Sequence, residues 1–133
     1  AMLRSLVGSE MCIRDSCVTA LGHHAAGLFS NDDPLCERLI TAGQQTHERL
    51  WRLPLWPEYR QQIEGDIADI KNSGGPPGGA STAAALLSEF AQGFPWAHLD
   101  IAGTASSAAH RHYLRKGGVG FGVRLLTQLA RTW

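Results

Sequence analysis

An excess of charge of either sign is missing from this sequence: its 133 residues carry 12 Lys and Arg against 12 Asp and Glu. A neutral chain offers no electrostatic case for nucleic acid or for an anionic membrane surface. Long hydrophobic runs are missing too, since none approaches the ~20 residues that a membrane-spanning helix needs. Residues 1–20 hold no apolar stretch ending in a small-residue cleavage pattern, so no secretory signal is read there. Cysteine is scarce. Cys12, Cys17 and Cys36 are odd in number and lack metal-ligand spacing. That excludes a disulfide framework and predicts free thiols in a reducing compartment. Charged residues make up only 18% against 44% hydrophobic, which excludes a disordered chain. These absences leave a soluble, cytoplasmic, globular unit of ordinary domain length.

Several elements are present in the pattern. Cys17-Val18-Thr19-Ala20-Leu21 is apolar and β-branched and stops at Gly22, so it reads as a strand. Residues 25–29 read as a second strand or an extended turn. Asn31-Asp32-Asp33-Pro34 supplies an N-cap and a first-turn proline for a helix over 34–50, weakened by Gly43. Residues 51–57 are too rich in proline for a helix and read as extended. A short helix follows over 57–64, then a weak strand or turn over 66–71. Residues 72–79 hold four glycines and two prolines and must be a loop. A helix over 79–91 shows one apolar stripe of Ala80, Ala83, Ala84, Leu87, Phe90 and Ala91. Residues 96–101 read as a buried strand, 103–111 as a loop, 116–122 as a second glycine-rich loop, and 123–131 as a final helix. Strands alternating with helices predict an α/β fold.

Three features invite chemistry. His98 and Asp100 lie two apart on a strand and face the same way, so they could share a metal ion. A polar pair at the edge of a core strand explains them better, because no further ligands are nearby. His23 and His24 are adjacent and rarely chelate one ion together, so they read as loop residues. The two glycine-rich loops each precede a helix, as phosphate-binding loops do. Neither has the P-loop Gly-Lys-Ser/Thr or the dinucleotide glycine spacing, so both read as structural. Cys17 and Cys36 have no basic neighbour in sequence that would mark a nucleophile.

The order of motifs nevertheless resembles one family. Cys17-Val18-Thr19-Ala20-Leu21-Gly22 leads to Ala26-Gly27-Leu28-Phe29-Ser30-Asn31, then to Glu48-Arg49-Leu50-Trp51-Arg52-Leu53-Pro54-Leu55. Trp96-Ala97-His98-Leu99-Asp100-Ile101-Ala102-Gly103-Thr104-Ala105 and Lys116-Gly117-Gly118-Val119-Gly120-Phe121-Gly122-Val123-Arg124-Leu125-Leu126 complete it. Together these resemble the C-terminal part of the catalytic domain of the leucyl (cytosol) aminopeptidases. The resemblance implies a partial α/β/α layer with a mixed sheet. It also implies a parent that is a cytoplasmic homo-hexamer and removes N-terminal residues, often leucine, from peptides. That parent uses two divalent ions, zinc or manganese, which activate a bridging water. An arginine-bound bicarbonate assists proton transfer in family members.

The sequence departs from the family upstream. The Asn-Thr-Asp-Ala-Glu-Gly-Arg signature, which supplies metal ligands and the catalytic arginine, is not in it. Lys71 and Lys116 match neither the catalytic nor the ligand lysine. His98 and Asp100 match a framework strand. The expectation is therefore an incomplete catalytic domain over 17–133 that binds no metal pair and is inactive alone. Residues 1–16, which include Met11-Cys12-Ile13-Arg14-Asp15-Ser16, resemble a translated sequencing adapter and read as a non-native leader. Ala102, Gly103 and Ala105 match positions that line the pocket for the substrate's first residue, and Ser73 matches another lining position. The alternative reading is a non-catalytic module that docks on a full-length homologue.

Overall fold

The computed structural model describes residues 11–65, 69–110, 113 and 115–133. Five helices and five short strands run in the order α1 (Met11–Leu21), β1 (Ala26–Ser30), α2 (Asp33–Thr46), β2 (Leu50–Arg52), α3 (Pro57–Gln62), α4 (Gly79–Ser88), β3 (Ala97–Asp100), β4 (Ser106–Ser107), β5 (Gly117–Gly118) and α5 (Val123–Arg131) among the described residues. A 3-10 turn, Glu89–Ala91, extends α4. Residues 1–10 of the expected leader, 66–68 of the expected turn and Arg111 at the end of the expected loop lie outside the described residues.

β1 is the centre of a mixed sheet ordered β2-β1-β3. It runs parallel to β2, with Ala26 opposite Leu50, and antiparallel to β3, with Phe29 opposite His98 and Gly27 opposite Asp100. Side chains alternate along a strand. One face therefore carries Ala26, Leu28 and Leu99, and the other carries Gly27, Phe29, His98 and Asp100. α2 and α5 cover the first face, burying Leu39, Ala42, Leu125 and Leu129 against Leu28 and Leu50. α1 and α4 pack together on the second face, with Cys17, Ala80 and Ala84 against Phe29. This is the expected α/β/α layering with a mixed sheet.

Local signals explain several boundaries. Asp32 caps α2, its Oδ1 accepting from the Leu35 amide at 2.7 Å, with Pro34 in the first turn. α2 was expected to reach residue 50 but stops at Thr46. His47 turns left-handed (φ 58°) and the Glu48 amide donates back to the Gly43 carbonyl. The chain must turn there because Leu50 pairs with β1. Gly43 is needed for that turn: a Cβ on it would lie 2.6 Å from the Glu48 carbonyl oxygen.

Two further expectations are corrected. Residues 17–21 form the last part of helix α1 and are not a strand. Cys17 and Leu21, one helical turn apart, both pack towards the Phe29 face, and the Gly22 amide closes the helix on the Val18 carbonyl at 2.8 Å. Packing against the sheet overrides the β propensity of Val18 and Thr19. The predicted stripe on 79–91 also fails at its end. Ala80, Ala83 and Ala84 are buried, but Phe90 is 80% exposed. The helix tightens to 3-10 geometry at Glu89, which rotates Phe90 off the buried stripe.

Candidate functional site

The turn that follows β3 gathers Ala102, Gly103 and Ala105. It starts at Asp100, which is only 7% exposed and whose Oδ1 accepts from the Ala102 amide at 3.0 Å. The Ile101 carbonyl then accepts from the Thr104 amide at 2.9 Å and from the Ala105 amide at 2.8 Å. Past the turn, the Ala105 carbonyl accepts from the Val119 amide at 3.0 Å. That bond leads into the β4–β5 pair, where Ser106 faces Gly118 and Ser107 faces Gly117. The small residues are thus held by main-chain hydrogen bonds at the end of the sheet where β1 begins.

Gly103 is packed from below. A Cβ on it would run into the Gly22 carbonyl oxygen at the end of α1, so glycine is required by close backbone approach. His23, the next residue, donates from Nδ1 to the Gly103 carbonyl at 2.8 Å. Sequence reasoning set His23 aside as a loop residue. No local signal marks it, because its partner lies 80 residues away.

Ser73 sits elsewhere, exposed in the loop before α4. Its Oγ accepts from the Gly75 amide at 3.2 Å. Among the described residues no hydrogen bond ties Ser73 to the 101–105 turn. The structure therefore brings three of the four expected lining residues into one turn and keeps the fourth in a separate loop.

His98 and Asp100 face the same way, as their spacing predicts. His98 is stacked between Phe29 (ring centroids 6.0 Å apart) and Trp96 (6.2 Å), and burial pushes its pKa down. Asp100 Oδ2 is buried with no hydrogen-bond partner. Next to it the Cys17 thiol lies 3.9 Å from the Asp100 carbonyl oxygen. Burial first, and the Asp100 charge second, push that thiol up to about 11. A thiol held protonated in this way is not a nucleophile at neutral pH. Among the described residues no group of three or more His, Cys, Asp or Glu could hold a metal ion. The described side chains by themselves therefore do not make up a dinuclear centre.

The glycine-rich entry to α5 has an internal occupant. Glu48 is 3% exposed and places Oε2 at 3.1 Å from the Gly122 amide and 2.9 Å from the Leu125 amide. Its Oε1 accepts from Arg124 Nε at 3.3 Å. The amides that would cradle a phosphate already serve a carboxylate, which agrees with the structural reading of this loop.

A three-layer domain with a mixed sheet and a small-residue turn at one sheet end defines an α/β class. Comparison with known proteins gives the family. Residues 12–127 match the cytosol aminopeptidase family, catalytic domain. The chain belongs to that family. It is 53% identical over 115 residues to a "probable cytosol aminopeptidase" of Roseiflexus castenholzii, covering 86% of this chain and 24% of the relative. A protein of the same name from Syntrophotalea carbinolica is 54% identical over 114 residues, covering 86% and 23%. Among solved structures, the bottromycin maturation enzyme BotP in complex with Mn superposes with a TM-score of 0.83 at 36% identity, covering 88% of this chain and 26% of that one. A tomato leucine aminopeptidase variant gives a TM-score of 0.82 at 32% identity, covering 89% and 23%. The chain thus spans about a quarter of the length of the curated relatives it matches.

Proposed function

We propose that this chain is the later part of the catalytic domain of a metal-dependent aminopeptidase that removes N-terminal residues, often leucine, from peptides. In this reading Ala102, Gly103 and Ala105 form one wall of the pocket for the substrate's first side chain, and Ser73 contributes from the loop before α4. The two divalent ions, zinc or manganese, belong to upstream ligands that this sequence does not contain. The parent works in the cytoplasm as a homo-hexamer. Residues 1–16 are read as a non-native leader, although the family match already takes in residues 12–16.

The observation that carries this reading is the pairing of family membership with coverage. Family similarity runs over most of this chain while spanning only about a quarter of its relatives. The clamped turn supports it further. Ala102, Gly103 and Ala105 carry no side chain larger than a methyl group, and fixed main-chain geometry is what a side-chain pocket needs.

The test is turnover of leucine p-nitroanilide by the purified 133-residue chain with added zinc or manganese. The expected result is none above the metal-only blank. Metal-dependent turnover would overturn the claim that the chain is inactive alone. Genomic sequence upstream of the Cys17 codon tests the rest. An in-frame stretch coding for Asn-Thr-Asp-Ala-Glu-Gly-Arg is expected, whereas a promoter and start codon at that point would overturn the longer parent and favour the docking module.

A further inference from the structure

The peptide unit joining Gly103 to Thr104 is held at both ends. Its N–H, on Thr104, donates to the Ile101 carbonyl at 2.9 Å. Its carbonyl, on Gly103, accepts from His23 Nδ1 at 2.8 Å. A peptide unit is planar, so fixing both groups fixes the plane. That plane lies in the turn between Ala102 and Ala105. The Gly22–Gly103 backbone approach excludes a side chain at this place, but it does not choose the plane's orientation. The Thr104 and His23 bonds together do.

We infer that His23 is a positioning residue for the first-residue pocket: its imidazole, protonated at Nδ1, holds the Gly103 carbonyl and so fixes the turn that carries Ala102, Gly103 and Ala105. A carbonyl oxygen only accepts, so Nδ1 must carry the hydrogen. The hydrogen bond thereby selects the ring tautomer, leaving the lone pair of the neutral ring on Nε2. The inference rests on the proposed reading of this turn as a pocket wall. It ties the pocket's shape to the end of α1, a helix reached across 80 residues of sequence.

The test uses the whole 133-residue chain, labelled with nitrogen-15. Ring nitrogen shifts of neutral His23 should report hydrogen on Nδ1; hydrogen on Nε2 would overturn the clamp. This readout needs no variant, so it stands if a substitution fails to fold. His23→Ala should speed hydrogen exchange at the Thr104 and Ala105 amides about 10-fold, the effect of losing one net hydrogen bond, without changing the Leu39 amide of α2. His23→Gln, whose amide can donate to the same carbonyl, should restore slow exchange. Equal exchange in the wild type and His23→Ala would also overturn the clamp. Leucine amide serves as the ligand probe. It should shift the Ala102 and Ala105 amides in the wild type and do so less in His23→Ala. If it moves neither amide in the wild type while the tautomer result holds, the pocket reading fails and the positioning role fails with it.

Discussion

On the α2 and α5 side, the sheet meets long aliphatic side chains. Leu28, Leu39, Leu50, Leu125 and Leu129 fill that layer. The buried carboxylate at its edge, Glu48, has every bond it needs: two helix amides and an arginine. On the α1 and α4 side the buried residues are fewer and mostly smaller. Cys17, Ala80 and Ala84 meet Phe29, and the buried carboxylate there, Asp100, leaves Oδ2 without a partner. The first face buries more apolar side chain, and apolar burial is the dominant favourable term in folding. The second gives up apolar bulk so that backbones approach closely, as at Gly22 and Gly103. That side also carries the turn assigned to the pocket. On the proposed reading of that turn, stability and recognition are divided between the two faces of one small sheet.

The comparison breaks most readily at Glu48. Glu48→Ala strands the Gly122 and Leu125 amides and frees Arg124, and should cost about 3 kcal/mol, read from the denaturant midpoint. A change below about 1 kcal/mol would mean that the two buried carboxylates are equivalent after all. The Cys17 side should respond instead to alkali. The thiol's folded pKa is raised from 9.0 to about 11. The folded state therefore holds the proton more tightly than the unfolded state. Stability is complete below pH 9 and falls as pH rises from 9 towards 11, by up to about 3 kcal/mol. Cys17→Ala should flatten most of that fall when unfolding free energies at pH 8 and pH 11 are compared. The smallest effect is expected at Asp100. Asp100→Asn keeps the acceptor for the Ala102 amide and removes an unpartnered buried carboxylate oxygen, so stability at pH 7 should rise by about 1 kcal/mol or less. The same variant should lower the Cys17 titration, because the Asp100 charge is one of the causes that raise it. A Cys17 titration unmoved in Asp100→Asn would separate the two groups.

Much of the fold was legible because its signals are local. Asp32 and Pro34 mark the start of α2 within one turn of chain, and Leu125 and Leu129 mark the buried stripe of α5. The alternation that put His98 and Asp100 on one face survives in the register of β3. α1 was misread because five residues of β-branched and apolar character fit either period, and only the helix partner and the Phe29 face decide between them. Phe90 was misplaced because the sequence stripe assumes a uniform α-helix, while the chain tightens at Glu89. In the candidate site, family resemblance pointed to Ala102, Gly103 and Ala105 but gave no hint of His23.

The sequence by itself determined the neutral charge, the α/β alternation, the capped start of α2, the small residues of the 101–105 turn and the family. Each is carried by composition, or by residues within a few positions of one another. Tertiary structure alone decided that residues 17–21 are helical and that α2 ends at His47. It also decided that Glu48 caps α5 and that His23 holds Gly103. These depend on which strands pair and in what register, since β1 brings α1 to the end of β3 and β2 brings Glu48 to α5. Partners 74 to 80 residues apart meet only through the sheet that joins their elements, and nothing in their own neighbourhoods encodes the meeting.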